Sequence, residues 1–195
     1  MENANIIEFI ESSKFYELST SYRWQGIRMI KVENTAEHSY YVALFSLFIA
    51  ESLALPKSTK NKAIQYALLH DYDEVFTGDI RHSLKYQTSV GEDIRYSIKK
   101  YVGEVMDGLS DKSFYNRVLK ETIESESDYM VKSIVKIADW LSMYFIMKNE
   151  IEMGNISVTK HFEYCKSQLL ELSSNLENNI GINKLSTEIN NYFNK

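Results

Sequence analysis

Hydrophobic residues recur at helical spacing along most of this chain. In the segment 91–109, for example, Ile94, Ile98, Val102 and Val105 follow one another at intervals of four, four and three positions. Side chains with this spacing share one face of an α-helix. Helix breakers are rare, because the sequence contains one proline and seven glycines. The pattern therefore predicts a succession of helices rather than a strand-and-turn architecture.

The predicted helices begin at capping residues and end at helix breakers. We expect Asn34 or Thr35 to cap the second helix, which Pro56 ends, and Ser58 or Thr59 to cap the third. The third helix is expected to run unbroken to position 76, where the "TGD" that follows breaks it. The predicted helices occupy residues 5–19, 34–55, 58–76, 91–109, 126–154, 161–177 and 184–193, and residues 21–34 are predicted to be a loop.

The chain has the size and composition of one globular domain. Its 195 residues are enough for one substantial core and too few for two ordinary domains. Hydrophobic residues make up 44% and charged residues 25%, the balance of a soluble protein. No internal repeat, low-complexity segment or linker divides the sequence. We therefore predict an all-α fold, a single helical-bundle domain that spans residues 1–195.

Charge and targeting signals restrict the partners and the compartment. The net charge is −5 without a block of like charge, which argues against nucleic acid as the main partner but leaves a small phosphate ligand open. The single cysteine, Cys165, allows no intrachain disulfide and suits a reducing compartment. The N-terminus is acidic where a signal peptide is basic, and the apolar run 40–50 is too short to cross a bilayer. We expect a cytoplasmic protein without a membrane partner.

The stretch "LLHDYDEVFTGD" places unusual charge at the end of an apolar segment. Burying an unpaired charge is costly, so the histidine and carboxylates there need compensation. Glu74 follows His70 by four positions and Asp71 by three, the spacings that share a helix face. A divalent metal would explain the cluster, because imidazole and carboxylate are common ligands for such ions.

Two further residues could complete such a site. His38 begins the most apolar predicted helix, and Asp139 lies in the middle of another apolar helix, where a lone carboxylate is expensive. Each has an ordinary alternative: His38 could bond a backbone group at a helix start, and Asp139 could pair with Lys136 or an arginine. His82 and His161 have no comparable context, and we expect them at the surface or behind the ligands.

These residues and their neighbours resemble a known enzyme family. The motifs "YRW", "ENTAEHS", "HDYDEVFTGD", "LKY", "VKIADWL" and "GN" are similar, in this order, to those of the bacterial HD-domain 5′-deoxynucleotidases, a family of metal-dependent phosphohydrolases. They extend from Tyr22 to Asn155, most of the chain. A bare "HD" dipeptide is common by chance, so the ordered series carries the resemblance.

The resemblance assigns a role to each matching position. It places the metal ligands at His38, His70, Asp71 and Asp139. It places the acidic residue needed for catalysis at Glu74, which acts beside the metal-bound Asp71. Substrate contacts fall on Arg23, Trp24, Thr77, Asp79 and Lys85. The first two match an Arg-Trp pair that favours deoxyribose over ribose in the family, and the other three match positions near the sugar and phosphate.

The resemblance also implies the fold, the cofactor and the reaction. The fold would be an HD-domain helical bundle that commonly forms homodimers. The cofactor would be a divalent transition metal ion, with cobalt or manganese favoured and zinc, magnesium, iron or nickel possible. The reaction would be hydrolysis of the 5′-phosphate of deoxynucleoside monophosphates to deoxynucleoside and orthophosphate, with a small deoxynucleotide as the ligand.

One stretch departs from the family pattern. After "TGD" the family has a proline-rich segment of the form "LPTPVKY", whereas this chain has "IRHSLKY", in which Arg81 and Ser83 stand in place of the prolines and Arg81 and His82 add two potential cations. Extra positive charge there could suit a longer phosphate tail, or these side chains could simply face solvent. A deoxynucleoside triphosphate triphosphohydrolase of the dATP type is therefore one alternative. A non-catalytic nucleotide-binding HD protein is a second alternative of a different class, and the joint presence of Glu74 and the four candidate ligands argues against it.

Overall fold

The structure is a computed structural model that describes residues 6–86, 88–107, 128–176 and 182–194. In this part of the chain the α-helices are α1 (Ile6–Ser13), α2 (Thr35–Ser52), α3 (Lys57–Leu69), α4 (Glu74–Thr77), α5 (His82–Tyr86), α6 (Gly91–Asp107), α7 (Tyr129–Glu152), α8 (Thr159–Leu176) and α9 (Asn183–Phe193). Two short 3-10 helices, Phe15–Ser19 and Ile156–Val158, lie between them. The prediction of an all-α protein is confirmed, since the described residues contain no strand beyond one isolated β-bridge.

The core lies around α2 and α7, two long apolar helices. Helix α2 packs against α3 and α7, and α3 also touches α7. On the other side α7 packs against α8, and α8 packs against α9. Residues such as Val42, Ile134, Ile137 and Met147 are fully buried between these helices. The helical spacing of apolar residues therefore fixes which faces meet.

Side-chain caps begin the two central helices. The Asn34 side chain accepts a hydrogen bond from the amide of Glu37 at 2.9 Å, which confirms one of the two predicted caps of α2. The Asp128 side chain caps α7 in the same way, accepting from the amides of Met130 and Val131. These bonds satisfy backbone donors that have no partner inside the helix.

Residues 21–34 form a loop, as predicted, and a few contacts fix its shape. An antiparallel bridge pairs Tyr22 with Asn34 and so closes the two ends of the loop. The amide of Arg23 donates to the carbonyl of Glu33 at 3.0 Å. Trp24 adopts a left-handed backbone with φ 64°, which is rare for a bulky residue. The loop is therefore held in one conformation that its own sequence does not favour.

The predicted helix across residues 58–76 is wrong in two respects. The capping residue is Pro56 rather than Ser58 or Thr59, since a proline's fixed φ suits a helix start. The helix also ends at Leu69, and residues 70–73 form tight turns. There the amide of Tyr72 donates to the carbonyl three residues back instead of four. A second short helix, α4, then carries Glu74.

The predicted helix across residues 5–19 is also interrupted, because α1 ends at Ser13, Lys14 adopts a left-handed backbone with φ 56°, and Phe15–Ser19 form a 3-10 helix. Helix α2 ends at Ser52 rather than at residue 55, and α5 lies where no helix is predicted.

The other helix predictions agree with the described residues. Gly78 ends α4 with φ 66°, a conformation that glycine adopts without steric cost. Helices α6 to α9 begin and end within a few residues of the predicted bounds, and the parts predicted for residues 108–109, 126–127 and 177 lie outside the described residues. Within the described chain, no helix combines the length and the apolar character needed to span a membrane.

Candidate metal centre

Four predicted ligands meet where three long helices come together. His38 lies at the start of α2, His70 and Asp71 follow the last turn of α3, and Asp139 lies in the middle of α7. His38 is fully buried and Asp139 is 9% exposed. One ligand atom each from His38, His70 and Asp71 lies within 4.8 Å of the others. The turns at residues 70–73 bring two adjacent side chains towards the same point.

The distances among these atoms are short. His38 Nε2 lies 3.2 Å from Asp139 Oδ1 and 3.7 Å from Asp71 Oδ2. His70 Nε2 lies 3.4 Å from the same Asp71 oxygen. Asp71 Oδ2 therefore lies between the two imidazoles, and Asp139 approaches from the side of His38.

The hydrogen bonds of the two histidines orient them as ligands. His70 Nδ1 lies 2.7 Å from the carbonyl of Ala67, which can only accept, so Nδ1 carries the proton and a neutral ring keeps its lone pair on Nε2. His38 Nδ1 contacts the hydroxyl of Ser142 at 3.3 Å. Both Nε2 atoms are buried and have no hydrogen-bond partner among the described residues. Two buried imidazole nitrogens that face two carboxylates fit a divalent metal ion.

The protonation states also suit metal binding. Burial and the nearby Arg23 lower the pKa of His38 to about 4, so its ring is neutral. Burial acts to raise the pKa of Asp71, but His70, Arg23 and His38 lower it to about 2. Burial likewise opposes the shift at Asp139, where the neighbouring lysine and histidines hold the pKa well below its usual range. Neutral imidazoles and ionised carboxylates are the forms that bind metal.

Asp139 uses its two oxygens in different ways. Lys136 Nζ donates to Asp139 Oδ2 at 3.0 Å, so the pairing considered as an alternative from the sequence is present. The other oxygen, Oδ1, faces His38. The two interactions do not compete, and Asp139 can be a metal ligand while it pairs with Lys136.

Glu74 lies beside the ligands in a setting that favours its protonated form. Its side chain is 3% exposed, and the hydroxyl of Thr35 donates to its Oε2 at 2.7 Å. Lys85 Nζ lies 3.8 Å from Oε1. Burial and the charge of Asp71 raise the pKa of Glu74 to about 8, although Arg23 and Thr35 act in the opposite direction. Glu74 can therefore hold a proton near neutral pH, as a group that transfers protons must.

Arg23 and Trp24 lie next to this centre. Arg23 Nη1 donates to Asp71 Oδ2 at 2.9 Å, and its side chain is 11% exposed. The indole of Trp24 is half-buried and donates to Glu33 Oε2 at 3.2 Å. The guanidinium carbon of Arg23 lies 5.9 Å from the centroid of the Trp24 ring. Arg23 therefore contacts both the Asp71 carboxylate and the Trp24 ring.

The predicted residues after α4 are placed less uniformly. Lys85 reaches Glu74, as described above. The hydroxyl of Thr77 contacts the backbone oxygens of Asp73 and Gly78 at 3.2 Å and 3.0 Å. Asp79 is half-buried and close enough to contribute to the raised pKa of Glu74. The structure therefore brings Lys85 and Asp79 near Glu74, whereas the Thr77 hydroxyl bonds to local backbone.

The two residues that depart from the family pattern occupy defined positions. The guanidinium of Arg81 lies across Gly26, where a side chain would collide with it, so Arg81 contacts the loop 21–34. The ring of His82 is exposed at the surface, and its centroid lies 5.8 Å from that of Trp140. His161 is exposed, as expected.

Sequence reasoning missed three residues that support the site. Thr35 was considered only as a cap, yet its hydroxyl bonds Glu74. Glu33 contacts Trp24 from a fully buried position, and Ser142 contacts His38. The motif "ENTAEHS" did contain a signal, because it gathers polar residues directly before a buried histidine. Ser142 offered none, since a serine in an apolar helix is ordinary.

The helical scaffold is shared with HD-domain phosphohydrolases of known structure. An HD-domain phosphohydrolase from Listeria innocua superposes with a TM-score of 0.66 at 22% identity, covering 96% of this chain and 99% of that one. A cyanophage S-2L HD phosphohydrolase, bound to dA and one catalytic Zn²⁺ ion, superposes with a TM-score of 0.62 at 16% identity over 93% and 92%. These similarities confirm the HD-domain helical fold.

The sequence comparisons identify the family more closely. The family model for YfbR-like 5′-deoxynucleotidases matches residues 12–186. A 5′-deoxynucleotidase from Citrobacter koseri is 32% identical over 145 residues, 68% of each chain, and one from Pectobacterium atrosepticum is 29% identical over 147 residues, 70% of each. This chain belongs to the YfbR-like 5′-deoxynucleotidase family. It is therefore a hydrolase, and the non-catalytic alternative is set aside.

Proposed function

We propose that this protein hydrolyses deoxynucleoside 5′-monophosphates to the deoxynucleoside and orthophosphate, using a divalent metal ion. The observation that carries the proposal is a pair of buried imidazole nitrogens, His38 Nε2 and His70 Nε2, which face the carboxylates of Asp71 and Asp139 and have no hydrogen-bond partner in the described part of the chain. Membership of a family named for this reaction supports the choice of substrate.

In this proposal the four ligand side chains hold the metal between them. A divalent ion bound there would polarise a phosphoryl oxygen and promote ionisation of a water molecule. Asp71 and Asp139 neutralise the ion, while the bonds to Ala67 and Ser142 keep the two imidazoles aimed at it.

Glu74 supplies the proton that the departing 5′ oxygen takes up. Its raised pKa suits the carboxyl to hold a proton near neutral pH. It can donate this proton to the departing 5′ oxygen as the oxygen of the ionised water bonds to phosphorus and the ester bond breaks. Lys85 and Arg23 would balance the phosphate charge that develops in the transition state. In the metal-free protein, the charge of the ligand Asp71 contributes to the raised pKa of Glu74.

Trp24 would form the wall against which the sugar rests. A rigid indole beside Arg23 can exclude a 2′-hydroxyl by its shape. Asp79 lies near Glu74 and would meet the sugar or phosphate, and Thr77 would shape the turn that carries both. These substrate roles rest on the resemblance and on the position of each side chain beside the metal site.

The finer properties of the protein stay predictions. Mixed imidazole and carboxylate ligands suit cobalt and manganese, although zinc, iron, nickel and magnesium remain compatible with such a site. A homodimer and a cytoplasmic location are also expected. Metal analysis after purification without chelators would identify the bound metal, and sedimentation in solution would show whether the protein is a dimer.

The second candidate is the hydrolysis of deoxynucleoside triphosphates to deoxynucleoside and tripolyphosphate. One observation favours it: Lys136 pairs with Asp139 and so places a cation on that side of the centre. A longer phosphate tail could engage Lys136, whereas a single phosphate would be served by Arg23 and Lys85.

Identification of the products tests the proposal. Purified protein with manganese or cobalt would receive dAMP and dATP in separate reactions, resolved by phosphorus NMR, with Asp71→Ala as the inactive control. Orthophosphate from dAMP with dATP intact is the expected result. Tripolyphosphate from dATP would favour the second candidate, and no turnover of either substrate by the metal-loaded protein would contradict both.

A further inference from the structure

We propose that Glu33 is a positioning residue that fixes the orientations of Arg23 and Trp24 together and thereby sets the discrimination between deoxyribonucleotides and ribonucleotides. The inference rests on the proposed function, in which these two side chains contact the sugar-phosphate end of the substrate. Glu33 itself acts from behind them, at a position that is 1% exposed.

A single oxygen of Glu33 serves both neighbours. Glu33 Oε2 accepts from the indole nitrogen of Trp24 at 3.2 Å and lies 3.5 Å from Nε of Arg23. The backbone joins them as well, because the amide of Arg23 donates to the carbonyl of Glu33. Movement of this carboxylate would therefore displace both side chains.

Trp24 needs external support to keep its position. Its φ of 64° lies in the left-handed region, which a bulky side chain rarely occupies unless the surroundings impose it. The amide of Ile27 bonds the Trp24 carbonyl at 2.9 Å and holds the backbone turn. The Glu33 carboxylate holds the ring, since it receives the indole N–H.

Arg23 connects Glu33 to the metal centre. Its Nη1 bonds Asp71 while its Nε faces Glu33, so the guanidinium lies between two carboxylates. A hydrogen bond to Asp71 fixes one end of the planar group, and an ion pair with Glu33 at 3.5 Å holds the other end. A guanidinium held at both ends presents its remaining N–H groups in one direction.

The charge of Glu33 is sensitive to pH in the physiological range. Burial raises the pKa of Glu33 to about 7, although Arg23 and the Trp24 hydrogen bond lower it. Glu37 and Lys31 are the other charged groups that affect this pKa. The carboxylate is present above pH 7 and becomes protonated below it, which weakens its pairing with Arg23.

The test compares kcat/KM for dAMP with kcat/KM for AMP between pH 6 and 8, in the parent and in Glu33→Gln. The ratio cancels every effect that both substrates share, such as ionisation of the phosphate. We expect Glu33→Gln to lower the ratio at pH 8 at least about fivefold while it retains the metal. The parent ratio should fall from pH 8 to pH 6, and the variant ratio should stay flat. An unchanged ratio in Glu33→Gln would overturn the proposal.

Glu150→Gln is the matched control. Glu150 is another buried carboxylate that holds the same loop, through the amides of Ile30 and Lys31. If Glu33 merely stabilised the loop, both variants would lose discrimination to the same extent, and that result would contradict a specific positioning role. Should Glu33→Gln fail to fold, Glu33→Asp keeps the charge but shortens its reach, and a lowered ratio is again expected.

A fluorescence measurement separates this inference from the proposed function. The chain has two tryptophans, so Trp140→Phe leaves Trp24 as the only indole. We expect its emission to titrate with a midpoint near pH 7, and the titration to vanish when Glu33→Gln is added. If neither nucleotide is hydrolysed, the proposed function fails while this titration still tests Glu33. Emission that does not respond to pH would overturn the positioning role.

Discussion

Glu74 and Glu150 are both almost fully buried, at 3% and 1% exposed, yet their surroundings act on their protons in opposite directions. Glu150 accepts hydrogen bonds from the amides of Ile30 and Lys31 at 2.7 Å each and from the side chain of Asn155 at 2.6 Å. Although burial opposes it, these bonds lower the pKa of Glu150.

Glu74 receives much less compensation. Among the described residues it accepts one hydrogen bond, from Thr35, and the charge of Asp71 lies close by. Its pKa therefore rises. The comparison teaches how to distinguish two kinds of buried carboxylate: one whose charge is fully bonded fixes structure, whereas one that lacks donors beside another carboxylate is suited to chemistry.

The largest effect should come from removing the carboxylate that shapes the environment of Glu74. Asp71→Ala should abolish metal binding and lower kcat/KM at least about a thousandfold, because this side chain lies between both imidazoles. Metal analysis after dialysis and a phosphate-release assay would measure both. The neighbouring Asp73→Ala variant should keep its metal. An Asp71→Ala protein with full metal content would contradict the assignment of Asp71 as a metal ligand.

The next prediction compares the two glutamates directly. Glu74→Gln should keep the metal and lower kcat at least about a hundredfold, the usual scale for losing a proton-transfer group. Glu150→Gln should change kcat only about threefold or less, because Glu150 does not touch the metal centre. Steady-state kinetics on metal-loaded protein would measure kcat in both variants. An equal loss of kcat in the two variants would contradict a catalytic role that is specific to Glu74.

Stability should show the reverse order. Glu150→Gln should lower the free energy of unfolding by about 1–3 kcal/mol, since it puts an amide N–H₂ against backbone donors. Glu74→Gln should cost nothing, or stabilise the metal-free protein by about 1 kcal/mol. Urea unfolding at pH 7 with a chelator would measure both, and destabilisation by Glu74→Gln alone would contradict this assignment.

The last comparison is the pH dependence of these differences. The pKa of Glu74 rises from its ordinary 4.5 to about 8 on folding, so its contribution to stability is present below pH 4.5 and is lost as pH rises through 8. The advantage of Glu74→Gln over the parent should therefore grow from pH 5 to 9. Glu150 has a lowered pKa, so the penalty of Glu150→Gln should be full at pH 7 and shrink below pH 4.5. If the free energy of unfolding of the two variants, relative to the parent, changed with pH in the same way, the opposite pKa shifts of Glu74 and Glu150 would be refuted.

The helices could be predicted from the sequence because apolar periodicity reports burial directly. The error at residues 58–76 has a physical cause. No glycine or proline marks the end of α3, and the apolar spacing continues into Val75 and Phe76. The turns at residues 70–73 depend on contacts with other helices, and such tertiary contacts leave no local signal.

The candidate ligands could be predicted for a different reason. His38 and Asp139 are polar residues inside strongly apolar helices, which makes them conspicuous. Glu33 and Glu150 are equally buried but were not found, because each lies among polar neighbours where a solvated side chain is the ordinary expectation. Burial of a loop carboxylate depends on which distant segment covers it.

The contact between Glu150 and the loop 21–34 also has a consequence for the order of folding. Glu150 and Ile30 are 120 positions apart in sequence, so this contact closes a very long segment of chain and should form late. The amides of Ile30 and Lys31 would then exchange with deuterium at the rate at which the loop detaches, and not at the rate at which helices unwind. A chain with every helix formed and this contact missing would be compact and helical, with the backbone at residues 30–31 detached from α7.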